Sequence, residues 1–350
     1  VSPWTAPPGP ENLGNNSNIT FFTSPLYWVG GTGSFSDGLH WATSSGGTAV
    51  TGAFPNKSND VYFDSLSSAT AYTATISAIM SIKGIYIAGP LVGNVTLAGS
   101  QEIFIFGSLL FPATGLTRTY SNRFNFSSTT TGNTITTNGV SLANQISFNG
   151  IGGEWTLGSA ISTSNGIFID DGTFNSGGQS VTCQTFGSTS GRVRAINLGS
   201  STVTVNFTSI DFIPSTNLTF NAGTSNIIHS ATSGQFRTGG LTFYDFTTAG
   251  LNVSFNRTIT GSATFNNYTI GKASGIGTPR IELTSGDSFT INGTFTSLVS
   301  GSGSTIRRVM LTSVGGAFTI NAAAVNLVDV DFTGIAGTGA AAPFTGTRLG

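Results

Sequence analysis

Asn217-Leu218-Thr219-Phe220-Asn221-Ala222-Gly223 reads as a short strand running into a sharp corner. Leu218 and Phe220 fall on one side of an extended chain, Thr219 and Asn221 on the other, which is the alternation of a half-buried strand. Asn and Gly tolerate the left-handed backbone that a tight corner demands. The same ending recurs in Phe148-Asn149-Gly150, Phe174-Asn175-Ser176-Gly177 and Ile291-Asn292-Gly293. If such corners stack, their Asn amides bond along the stack as a ladder, and the Phe before each Asn packs inside.

Outward from this stretch the pattern repeats. Strands are expected at 84–89, 94–97, 103–106, 123–126, 145–150, 166–169, 194–199, 202–205 and 288–292. Strand-plus-turn units recur about every ten residues, and pairs of them about every twenty to twenty-five. A series of sandwiches or barrels fits this spacing, and so does one parallel solenoid. The solenoid is preferred because its turns touch only their neighbours, which suits a sequence this repetitive and this degenerate. The expected fold is therefore all-β, a single-stranded parallel β-helix (β-solenoid) of a dozen or so turns. Phe148, Phe168, Phe174, Phe220, Phe289 and Phe332 are expected inside it.

Composition agrees and removes several function classes. The 350 residues carry 13 Lys+Arg and 14 Asp+Glu, 8% charged, against about 25% in an ordinary soluble domain. A net charge of −1 leaves nothing to hold a polyanion by counterion release, so nucleic acid is not an expected partner. Apolar residues come in short runs, far below the ~20 that a membrane helix needs, and no membrane insertion is expected. With 27 Phe, four Trp and seven Tyr the chain is too aromatic for disorder. Cys183 is the single cysteine, so no internal disulfide forms. Val1 in place of Met points to a processed or partial chain.

Three segments differ. Residues 1–26 hold Pro3, Pro7, Pro8 and Pro10 around Trp4 and read as an extended arm, either a linker or a strap docked on a partner. Residues 27–75 hold half of the Trp content and read as an aromatic-rich N-terminal cap over the first open edge. Residues 76–350 form the solenoid body.

The cap carries a resemblance. Tyr27-Trp28-Val29-Gly30-Gly31-Thr32-Gly33, then Trp41, Ser45-Gly46-Gly47, Pro55 and Asp60-Val61-Tyr62-Phe63-Asp64, resembles a module of phage virion proteins, chiefly tail fibres and appendages. It also occurs in some large bacterial surface proteins. The body is similar in Gly152-Gly153-Glu154-Trp155-Thr156-Leu157 and Asn197-Leu198-Gly199-Ser200-Ser201-Thr202-Val203. The resemblance implies a β-helical structural role in a virion and brings no catalytic motif with it.

The residues themselves offer little chemistry. Nucleophile-elbow, phosphate-loop and His-Glu-x-x-His patterns are missing. His40 and His229 are the only histidines, and both read as structural. No cofactor or metal is expected. In Val328-Asp329-Val330-Asp331-Phe332 the apolar residues share one strand face, and Asp329 and Asp331 the other. Such a pair serves as general acid and base in glycan cleavage, or is simply a solvated outer face. Arg192 and Arg194 are read as sharing a strand face, where they meet an anionic sugar or only water. Cys183 reads as buried.

The function expected is a non-enzymatic component of a phage virion appendage, at the virion surface. Its expected partners are other copies of itself in a trimer or lattice, other virion proteins through the arm, and host-surface glycan. A bacterial extracellular fibre or adhesin subunit is the alternative, and a polysaccharide depolymerase the third reading.

Overall fold

The computed structural model describes residues 25–231, 234–252, 256–271, 273–274, 278–298 and 308–350, with backbone alone at 4–5, 19–20, 252 and 273–274. The chain is all-β and coils into a β-solenoid of about 12 turns. It divides into two compact units, 1–164 with 171–174, and 165–170 with 175–350. The arm lies largely outside the described residues. Within it, Trp4–Thr5 pairs in parallel with Ile19–Thr20.

Three stacks of parallel strands build the first unit. One face is Leu26–Trp28, Asp60–Phe63, Gly84–Ile87, Leu109–Leu110, Asn133–Thr136 and Glu154–Leu157. The second is Gly33–Ser34, Tyr72–Ile76, Val95–Gly99 and Leu116–Arg118. The third is Met80–Ile82, Ile103–Ile105, Phe124–Phe126 and Ile146–Phe148. The inward side of each strand sets the core: Ile82, Ile105, Phe126 and Phe148 stack in register and are fully buried. Burying each such side chain contributes about 2–3 kcal/mol. Phe126 and Phe148 lie nearly parallel, 5.2 Å apart.

The first turn is aromatic. Trp28, Phe35, Trp41 and Phe63 are fully buried against one another. Trp41–Ala42 pairs antiparallel with Tyr27–Trp28 and occupies the edge of the first face, where unpaired backbone groups would otherwise recruit another strand. Regular stacking reaches into the 27–75 block, because Asp60–Phe63 and Tyr72–Ile76 are ordinary coil strands. Leu26, counted with the arm above, is fully buried in the first strand.

The second unit continues the same plan and then simplifies. Its first face holds Arg194–Asn197 and Leu218–Asn221 and ends there. Its second face grows from the four residues of Asn226–His229 to the eleven of Phe318–Val328. The third face runs from Gly166–Ile169 to Val330–Thr333. Register shifts fall between Phe265 and Tyr268 and between Ile291 and Thr294. Asn292-Gly293, expected at a corner, is therefore a bulge inside Ser288–Ser297.

The amide ladder forms on the first face. Asn197 donates to Asn175 at 2.6 Å, and Asn221 donates to Asn197 at 2.5 Å. The left-handed residues are the glycines that follow: Gly177, Gly199 and Gly223 have φ of 59°, 54° and 60°. Of the six core phenylalanines expected, Phe148, Phe174 and Phe289 are buried. Phe168, Phe220 and Phe332 are half-buried. Phe168 yields the inner face to Ile167 and Ile169. Phe220 packs against Phe212 and Phe243 where the first face ends.

Candidate functional site

The carboxylate pair is not a strand face. Phe318–Val328 and Val330–Thr333 are separate strands, and Asp329 is the corner between them at φ 57°. Asp tolerates that backbone better than most residues. Asp329 is 3% exposed, and Arg348 grips it with Nε and Nη2 at 2.6 and 2.7 Å. That guanidinium holds its carboxyl below the usual carboxylate range. A general acid for glycan cleavage needs the opposite shift. Asp331 receives Arg308 Nε at 2.9 Å on both oxygens, and Nη2 as well. The C-terminal segment closes over this corner: Thr347 O accepts from Asp329 N, and Gly350 O from Phe332 N.

The arginine pair separates likewise. Arg192 lies exposed in the turn before Arg194–Asn197, so the two share no strand face. Arg194 is 2% exposed, and its guanidinium donates to the carbonyls of Ser188, Arg192, Pro214 and Thr216 and to Ser188 Oγ. It ties neighbouring turns together from inside and meets no solvent anion. Its position was legible in the sequence, because Arg194 alternates onto the same face as Ile196 and Leu198, both fully buried.

The remaining polar singletons are packed into the fold. His40 stacks on Trp28 at 4.8 Å and bonds Val29 O through Nδ1 at 2.9 Å. His229 is fully buried, and burial lowers its pKa from 6.5 to about 3. Burial pushes the Cys183 thiol up to about 12. Asp170 and Asp171 connect Gly166–Ile169 to Gly172–Asn175, and Gly172 has φ of 70°. Among the described residues no cluster of His, Cys, Asp or Glu is arranged to hold a metal, and no helix is long and apolar enough to cross a membrane.

What stacking does bring together is a groove that sequence reading missed. In the first unit, a cleft of about 550 Å³ is lined by Lys57, Ser58, Lys83, Phe106 and the run 128–130. These residues occupy one corner of successive turns, each placed just before a strand of the first face: Asp60–Phe63, Gly84–Ile87, Leu109–Leu110 and Asn133–Thr136. Lys83 is half-exposed and rests on Asp60 Oδ2 at 2.7 Å. That hydrogen bond raises the Lys83 pKa, keeping it charged. Ser128 Oγ and Thr130 Oγ1 lie 3.0 Å apart. Beside the groove a column of half-buried tyrosines follows the register Tyr27–Tyr62–Tyr86, with ring centroids 5.2 and 4.9 Å apart. Lining residues from successive turns are more than twenty positions apart in sequence, and only the stacking register aligns them.

Comparison of the chain with protein-family models, with curated proteins and with solved structures gave no match.

Proposed function

We propose that the chain is a non-enzymatic structural component of a phage virion appendage, of tail-fibre or spike type, that presents its surface to host glycan. The observation that carries this reading is a β-solenoid whose best carboxylate pair is engaged by Arg348 and Arg308 rather than set out as acid and base. The shape of the coil is supplied by buried Ile, Val and Phe columns, and its outer positions are Ser, Thr and Asn, suited to contact rather than turnover. In this reading the coil associates as a trimer or lattice of copies, and the 1–26 arm reaches a neighbouring virion protein.

Immunogold electron microscopy of purified particles tests it. Label on the appendage is the expected result. Label confined to the envelope of uninfected cells would replace it with the bacterial fibre or adhesin reading, which the same fold supports. Degradation of host capsule or lipopolysaccharide by purified protein would favour the depolymerase instead. Association is read separately by sedimentation. A chain that stays monomeric at high concentration, and soluble without 1–26, would contradict the oligomer.

A further inference from the structure

We infer that Leu218–Asn221, the open edge at which the first face ends, receives residues 18–21 of a second copy as an antiparallel strand. This rests on the proposed association of copies and names the segment and the edge that meet.

The edge is the first argument. Leu218–Asn221 has Arg194–Asn197 on one side and no described strand on the other. The carbonyls of Asn217 and Asn221 accept from Arg194 and Leu198. Backbone groups alternate in direction along a strand, so the C=O of Leu218 and both groups of Phe220 point to the open side. Open edges of this kind recruit strands. In the first unit the edge of this face is closed by Trp41–Ala42, which runs antiparallel. The amide ladder stops at the same place: Asn221 donates to Asn197, and its Oδ1 is left to accept. Leu218 and Phe220 are half-buried, while Thr219 and Asn221 are exposed. Beside them opens a cleft of about 460 Å³, whose lining includes Phe220, Phe243 and Tyr244 and no charged residue.

The occupant follows from matching each position. It must be uncharged, set apolar side chains beside Leu218 and Phe220, and donate to Asn221. Asn18-Ile19-Thr20-Phe21 meets all three conditions when run antiparallel. Asn18 then faces Asn221, Ile19 faces Phe220, Thr20 faces Thr219 and Phe21 faces Leu218. Ile19 and Phe220 exchange two backbone bonds, and Phe21 N–H reaches Leu218 O. The Asn18 amide supplies the next rung of the ladder. A parallel run of the same segment would set Phe22 against Asn221 and break the ladder. Asn18 and Phe21 lie outside the described residues; Ile19–Thr20 pairs with Trp4–Thr5 along one side, and a strand has a second side to offer. Phe21 is five steps from Leu26, a reach of about 17 Å, so the first turn of the second copy sits close beside this edge. An arm of one copy on the edge of the next is a heterologous contact. Such contacts close into a ring, a trimer included, or run on as a fibre.

Disulfide cross-linking of the full chain tests the contact. In the antiparallel register Thr20 and Thr219 face each other without mutual backbone bonds, with Cα atoms about 4.5 Å apart, which a disulfide spans. Cys183 is buried and does not compete. T20C protein mixed with T219C protein under mild oxidation should give a linked dimer that reduction removes. T20C mixed with T134C, at an exposed strand position elsewhere, should give at least tenfold less. In the double variant T20C/T219C the bond should join separate chains. Ile19→Pro removes the pairing N–H from a residue of the arm. It should weaken association in sedimentation at least tenfold and leave urea unfolding of the coil unchanged. A bond formed within one chain, T219C dimers in place of the mixed dimer, linking no better than with T134C, or association indifferent to Ile19→Pro would each overturn the inference. A chain that stays monomeric at high concentration overturns the association beneath it as well. Any of the first four results in a protein that immunogold places on the appendage overturns this contact alone. The mixed dimer in a protein absent from the particle overturns the location alone.

Discussion

Gly33 is bare because His40 fills the space beside it: a Cβ there would lie 1.9 Å from Nε2 of a ring already stacked on Trp28. Gly33→Ala should therefore lose about 2 kcal/mol in urea unfolding. The loss should be smaller in a Gly33→Ala/His40→Ala background, a coupling that a double-mutant cycle reads. His229 makes the matching statement about pH. Its pKa falls from 6.5 to about 3 on burial, with the nearby Arg257 charge adding to the effect. The unfolded chain then takes up a proton that the folded chain refuses, so stability is full above 6.5 and declines as pH falls toward 3. The lowered Asp329 pKa acts only below its ordinary value of 3.8, so the upper part of that window belongs to His229. His229→Gln should flatten the stability profile between about pH 6.5 and 4, measured by urea midpoints; an unchanged slope would assign the loss elsewhere.

Elements differ in what alternation settled. In Ile146–Phe148 the buried side is unambiguous, because Ile146 and Phe148 continue the column of Phe124 and Phe126. In Gly166–Ile169 both sides are apolar, so alternation by itself does not choose between Phe168 and the buried pair Ile167 and Ile169. Phe148→Ala should cost about 3–5 kcal/mol, and Phe168→Ala less than half as much, by chemical denaturation. The amide ladder was legible at Asn175 and Asn221. Its central rung, Asn197, which bonds in both directions, was not among the expected endings. Asn149 accepts from Ser127 Oγ instead, and Asn292 lies in the bulge. Asn197→Ala should cost about 1 kcal/mol and more than Asn221→Ala at the exposed end. The candidate groove was not legible. Its residues are corner positions, and turns of unequal length hide which corner lies over which.

Across the whole molecule, stability rests on apolar columns because ionic contacts are scarce. Cys183 gives a direct reading of how tightly they close. Its side chain is fully buried, and its thiol is pushed up to about 12 by that burial, so the native protein exposes no reactive thiolate. Labelling by a thiol reagent should proceed only through opening of the surrounding turns and should accelerate in step with unfolding as urea is added. Rapid labelling in native buffer would mean that the Val181–Cys183 region opens far more easily than its packing implies.

The sequence by itself determined the class of the fold. Period-two alternation fixed which residues could face inward, and the glycines after Asn fixed where the chain could turn, since both depend only on local backbone geometry. Its poverty in charge also set the expectation that nucleic acid is not a partner. Tertiary structure alone decided which turn lies on which. That register made Arg194 an internal tie, turned Asp329 into a corner held by Arg348, converted Asn292-Gly293 into a bulge, and brought Lys57 and Lys83 to one groove. The physical reason is that stacking energy is summed over a whole turn of about twenty residues or more. A single residue has little say in which neighbour it meets, and no short window of sequence contains the answer.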